Sequence, residues 1–172
     1  MLRLIGSILV IGASTALGLS ARQRMLRRAN VLAQLVQAID FIAAELSERQ
    51  TPLPEMIYRL TQEGGADSRR FFAEMDRRIR QEDGLSFSYR WQTTARDMAE
   101  ELGLEGDEVA VLRGAALYLG RYQAEQQLFG LQQTRARLEA IRVHVCGELK
   151  TKGSIYRTCG IAAGIVTVLM ML

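Results

Sequence analysis

Polar and apolar positions divide this chain into two apolar ends and a charged middle with helical periodicity. Leu4 to Ala21 is a run of 18 residues without a formal charge, and Thr158 to Leu172 is another of 15. A helix needs roughly 20 mostly apolar residues to cross a bilayer, and about 17 suffice. The first run meets that length. The second does so when Ile155, Tyr156 and the aliphatic stem of Arg157 are added, with the guanidinium staying at the headgroups. The pattern predicts a transmembrane helix over 1–21, a helical domain over 22–152 and a second transmembrane helix over 153–172.

In the middle, Met25, Leu32, Leu35, Ile39, Ile42 and Leu46 recur at steps of three, four and seven, which makes one helical stripe. Val31, Val36 and Ala43 widen it into a face for more than one neighbour. The block Thr51-Pro52-Leu53-Pro54-Glu55 predicts the opening of a second helix. Thr51 is the expected cap, Pro52 the first helical residue, and Pro54 and Glu55 fill the first turn. That helix carries Leu53, Met56, Ile57 and Leu60 and stops before Gly64-Gly65. Asp67 or Ser68 is expected to cap a third, with Phe71, Phe72, Met75 and Ile79 inward and Arg69, Arg70, Arg77, Arg78 and Arg80 outward. A fourth, capped by Ser86 or Ser88, runs through Trp91, Ala95, Met98 and Leu102 to Gly103. Gly106-Asp107 starts a fifth, with Val109, Leu112, Ala116 and Leu119 inward. The sixth is long, from Ala124 to Leu149, with Arg135 and Arg142 interrupting its apolar seam and Gly153 breaking or hinging its link to the second apolar end. The expected fold is all-α: an antiparallel bundle of about six helices between two terminal transmembrane helices.

Charge sets the orientation. Arg22, Arg24, Arg27 and Arg28 follow the first span, and Lys150, Lys152 and Arg157 adjoin the second. Lys and Arg collect on the cytoplasmic side of membrane segments, so the central domain is expected in the cytoplasm and both ends outside. A cleaved signal peptide, with Ala13, Ala16 or Ala21 near the cut, would make this a secreted helical protein. Four arginines directly after the apolar run oppose that, and it leaves the second run unexplained.

The formal net charge of +3 rests largely on these flanks, so the domain itself is near neutral and nucleic acid is not a natural partner. Two cysteines and one histidine cannot form a Cys/His metal site. His144 and Cys146 stand two apart, about 200° round a helix, so they face away from each other rather than forming a catalytic pair. No phosphate-binding glycine loop is present, since Lys150-Thr151-Lys152-Gly153-Ser154 has the wrong order and no strand before it. No catalytic, metal or cofactor-binding residue is expected. Two features suit interaction instead. Asp97, Glu100, Glu101, Glu105, Asp107 and Glu108 form an acidic run with no base inside it, fit to dock a basic partner, although helix starts also welcome acids. In the apolar ends, Gly160 and Gly164 form a GxxxG, and Gly12 and Ala16 are likewise four apart, so the two spans can pack closely.

Several of these pieces occur together in one known family. They are the opening Met1-Leu2-Arg3-Leu4-Ile5-Gly6, the helix Leu32 to Leu46 running into the Thr51–Glu55 block, Phe71-Phe72, Trp91, Leu119-Gly120-Arg121 and the tail Lys152 to Gly164. In combination the chain resembles the stage III sporulation protein AB family over nearly its whole length. It departs from the family's small residue and aspartate after the Leu-Gly turn, where it has Tyr122 and Gln123. The resemblance implies a non-enzymatic membrane adaptor in the channel between mother cell and forespore during endospore formation. It also implies protein partners that include a secretion-type ATPase, contact with membrane lipid at the inner membrane on the mother-cell side, and a domain similar to the platform protein of type II secretion and type IV pilus systems. Self-association stays open. The alternative from the residues alone is a membrane-tethered helical sensor with a small ligand inside its bundle, which a buried polar group would favour.

Overall fold

Helical periodicity is realised as helix along the chain. The computed structural model describes the backbone of residues 2–49, 51–120 and 124–169, and the side chains of 16, 19–49, 51–120 and 125–149. The described residues are all-helical, with α1 Leu2–Glu48, α2 Leu53–Glu63, α3 Ala66–Ile79, α4 Phe87–Asp97, α5 Ala99–Leu102, α6 Gly106–Ala115 and α7 Ala124–Leu169. Two compact units divide the chain, one of residues 1–27 with 144–172 and one of residues 28–143. In the first, His144 is exposed, Cys146 is a half-buried free thiol and Val145 is buried.

The second unit is the bundle. Leu32, Leu35, Ile39 and Ile42 of α1 are almost completely buried, as their stripe requires, together with Met56 and Ile57 of α2 and Leu131 and Leu138 of α7. Burying each such side chain stabilises by about 1.5–3 kcal/mol relative to leaving it in water. Phe71, Phe72 and Trp91 make the aromatic centre: the Phe71 ring meets Phe72 at 5.0 Å and Trp91 at 5.3 Å, both edge-to-face. That geometry brings a ring's positive edge to a negative face. The Trp91 indole N–H donates to the Leu112 carbonyl at 2.7 Å. The last turn of α6 makes this acceptor available, because Ala116 N–H bonds Arg113 O rather than Leu112 O. Ser88 Oγ donates to Ala116 O at 2.8 Å, so α4 satisfies two carbonyls at the frayed end of α6.

Two expected helix starts are built differently. Helix α2 begins at Leu53 with Pro52 as N-cap, its carbonyl accepting from Glu55 and Met56 N–H, and Pro54 is the second helical residue. Thr51 does not cap it. Its hydroxyl donates to Glu45 Oε2 at 2.8 Å, on a carboxylate that Arg59 and Arg49 also approach, at 2.8 and 3.1 Å. Neither Asp67 nor Ser68 caps α3. The N-cap is Gly65, and the acceptor comes from α1: Gln34 Oε1 takes Asp67 N–H at 2.9 Å and Ser68 N–H at 3.0 Å. Ser86 does cap α4, accepting from Tyr89 N–H at 3.3 Å. Among the described residues seven helices stand where six were expected, because the fourth turns at Met98 into the separate α5. Gly103 then takes φ +68°, with its N–H on Glu100 O and Leu104 N–H on Ala99 O, and this turn leaves Leu102 and Leu104 both buried. Gly153 does not interrupt α7, which runs through it.

One stretch among the described residues, Leu19–Glu48, is long and apolar enough to cross a membrane by length and composition. With 56% of its most apolar window buried, it has the character of a bundle's core helix. The backbone of the two expected spans is helical over 2–21 and 153–169, but the surroundings of Gly12, Gly160 and Gly164, the side chains of Lys150, Lys152 and Arg157, and most other side chains of the spans lie outside what the structure describes.

Candidate interaction surface

The acidic run extends from the end of α4, through α5, to the first turn of α6, and the fold divides its members. Asp97 lies between Arg78 and Arg96, 3.0 Å from each. The hydrogen bond from Arg96, then that from Arg78, holds its carboxyl below the usual carboxylate range against some desolvation. Glu101 is 3.6 Å from Arg70, a pair in which both side chains are more than half exposed, so its contribution is small.

Glu105 and Glu108 bracket the first turn of α6. Glu108 Oε2 accepts the Glu105 backbone N–H at 2.7 Å, the return bond of a capping box. Its other oxygen receives Arg28 Nε at 2.7 Å, while Arg28 Nη1 bonds Glu105 Oε1. Arg28 reaches this corner from α1, eighty positions earlier in the chain. Glu108 is wholly buried and so cannot face a partner. Equally, Arg28 is mostly buried in this contact, which leaves Arg22, Arg24 and Arg27 as the exposed basic residues after the first apolar run.

Glu100 and Asp107 remain exposed, with Glu101 and the outer side of Glu105. The corner that can meet a partner is therefore narrower than the sequence run: Glu100, Glu101, Glu105 and Asp107 around the Gly103 turn, with Asp97 at its edge. Nothing in the sequence spacing pairs Arg28 with Glu108, whereas a glutamate at the third helical position, able to reach back to the N-cap N–H, is the local half of a capping box.

Buried hydroxyls of the bundle bond to carbonyls within their own helices or helix starts, or, for Ser88, to the end of α6. Thr94 Oγ1 donates to Arg90 O, Thr134 Oγ1 to Gly130 O and Ser68 Oγ to Gly65 O. Arg90 is buried and clamps the α3–α4 loop through Gln81 O, Leu85 O and Asp83. Among the described residues, no three His, Cys, Asp or Glu side chains converge as metal ligands.

A family model described as stage III sporulation protein AB matches residues 3–172. The chain belongs to the stage III sporulation protein AB family. A solved structure titled stage III sporulation protein AB (SpoIIIAB) superimposes with a TM-score of 0.64 at 19% identity, over 70% of this chain and 94% of that one. At that identity the likeness carries the fold. Against curated sequences the chain has no match. In this stage III sporulation protein AB family member, the acidic corner is set on α4, α5 and α6, and Arg28 of α1 fixes its α6 side.

Proposed function

We propose that this protein is a non-enzymatic adaptor of the mother cell–forespore channel complex, coupling a secretion-type ATPase to the membrane assembly. Its helical domain, residues 22–152, is held at the inner membrane by spans at 1–21 and 153–172 and faces the mother-cell cytoplasm. Family membership over residues 3–172 is the observation that carries the sporulation role. The two charge-free runs, with Arg22, Arg24 and Arg27 after the first and Lys150, Lys152 and Arg157 at the second, support the anchoring and its direction. An all-helical bundle whose buried polar groups largely satisfy one another supports a docking role over a ligand-binding one.

Reporter enzymes active only outside the cytoplasmic membrane, fused after Gly65 and after Leu172 of the full chain, test the arrangement. Silence at Gly65 with signal at Leu172 is the expected outcome. Signal at Gly65 overturns the cytoplasmic domain, and silence at both overturns the second span. The coupling itself is tested by co-purifying the full chain with the ATPase from solubilised sporulating membranes.

A further inference from the structure

A second surface lies on the C-terminal half of α6 and the turn that follows it, away from the acidic corner at that helix's start. Ala110, Val111, Gly114, Leu117 and Tyr118 face Thr134 and Arg137 of α7 across a groove of about 190 Å3. Tyr118 closes one end, its ring lying against Gly130 where any Cβ would collide. Gly114 opens the middle: a Cβ built there meets nothing within 4 Å. Leu117 on the wall is 60% exposed.

The charge around this groove is unbalanced. Among the described arginines of the bundle, all but Arg69, Arg113 and Arg137 contact a carboxylate. Two of those three flank the groove. Arg137 lines it, and Arg113 stands on α6 three residues after lining Ala110 and immediately before lining Gly114, at the groove's edge. Both are exposed.

We propose that this groove docks an amphipathic helix from another protein, one whose apolar stripe is flanked by carboxylates. The lining residues recur at helical spacing on two walls, the geometry in which one helix face is laid into a groove between two others. The small residues Ala110 and Gly114 let its backbone come close, and Leu117 and Tyr118 meet its apolar stripe. Arg113 on one wall and Arg137 on the other meet its carboxylates. Two arginines beside an apolar slot suit a peptide better than an anionic lipid surface, which is recognised by clusters of four to eight basic side chains.

The test titrates the full chain, in neutral detergent micelles, against a labelled helical peptide with a leucine stripe flanked by glutamates, and against the same peptide with lysines in their place. Saturable binding of the glutamate peptide, weakening as salt rises, is expected. Arg113→Glu with Arg137→Glu should weaken it about tenfold or more and strengthen binding of the lysine peptide. Gly114→Leu should abolish binding while keeping the helix, since leucine favours helix over glycine. Equal binding of the two peptides, no saturable binding, or unchanged binding to Gly114→Leu overturns the proposal. Displacement of the peptide by phosphatidylglycerol added to the micelles would assign the groove to anionic lipid. Self-association abolished by Gly114→Leu would assign it to a second copy of the chain. Either result also overturns the proposal.

Discussion

Gln34 occupies the space that a side chain at position 65 would need. A Cβ on Gly65 would fall 2.5 Å from Gln34 Oε1, the atom that accepts the Asp67 and Ser68 N–H groups. The backbone at Gly65 is ordinary, with φ −65°, so close approach rather than backbone freedom calls for glycine here. One glutamine thus joins the middle of α1 to the start of α3 and satisfies two of the donors that a helix start leaves open.

Gly65→Ala and Gln34→Ala should therefore damage the same contact. Each is expected to cost about 1 kcal/mol, the usual effect of losing a helix cap. The double variant should cost clearly less than the sum, because the second change removes what the first has already displaced. Denaturant unfolding of the four proteins checks this. Strict additivity would show that Gln34 and Gly65 act separately.

The Arg28–Glu108 pair gives the second prediction. Removing one partner of a buried ion pair leaves a charge without compensation, so Arg28→Ala should cost about 3–5 kcal/mol. Replacing both, as Arg28→Met with Glu108→Leu, should recover most of that loss, because well-packed apolar groups often equal or exceed a buried pair. If Arg28→Ala unfolds at the wild-type denaturant concentration, the contact contributes nothing to holding α6 on α1.

Much of the fold was legible because its signals are local. The stripe Leu32 to Ile42, the inward Phe71, Phe72 and Met75, the Ser86 cap and the left-handed Gly103 all depend on neighbours within a few residues, and spacing records such relations. The departures come from partners distant in sequence. Thr51 before a proline block has every local reason to cap α2, yet Glu45 on the preceding helix takes its hydroxyl. Asp67 and Ser68 are good cap residues, but Gln34 supplies the acceptor first. The acidic run was legible as a run. Its division was not, because the cations that claim Asp97 and Glu108 come from other helices or, with Arg96, from the residue beside it.

Glu74 predicts how the bundle responds to acid. Hydrogen bonds from Arg77 first and then Arg78, against desolvation, hold its carboxyl at about 2, below the ordinary 4.5. A carboxylate depressed on folding stabilises fully above its unfolded pKa and loses that contribution as pH falls through the folded value. Glu74 therefore stabilises above about 4.5, and its share disappears between there and about 2. Glu74→Gln should lower stability at neutral pH and make it depend less on pH across that window. Melting temperatures of both proteins at a series of pH values check it, and an unchanged slope would remove Glu74 from the acid response.

The acidic corner yields the last prediction, on the surface that the proposed adaptor role would use. Glu108 is buried and Asp97 is held by two arginines, so the groups able to attract a basic partner are Glu100, Glu101, Glu105 and Asp107. Reversal of Glu100 and Asp107 to lysine changes two exposed side chains and leaves the Arg28 contact untouched. Asp107 lies in the first turn of α6, so its reversal costs about 1 kcal/mol against the helix dipole, while Glu100 is an ordinary exposed position; melting should fall only slightly. Complementary charge acts mainly on association rate and is screened as salt rises. The variant should therefore bind the ATPase more slowly than the unaltered protein at low ionic strength, with the two converging at high salt. Glu108→Gln is the contrast: it should reduce stability through the Arg28 pair without a matching salt-dependent loss of association rate. If the double reversal associates as fast as the unaltered protein at low salt, the acids around Gly103 serve the start of α6 and its solvation, and the contact with the ATPase must be sought on another face of the bundle.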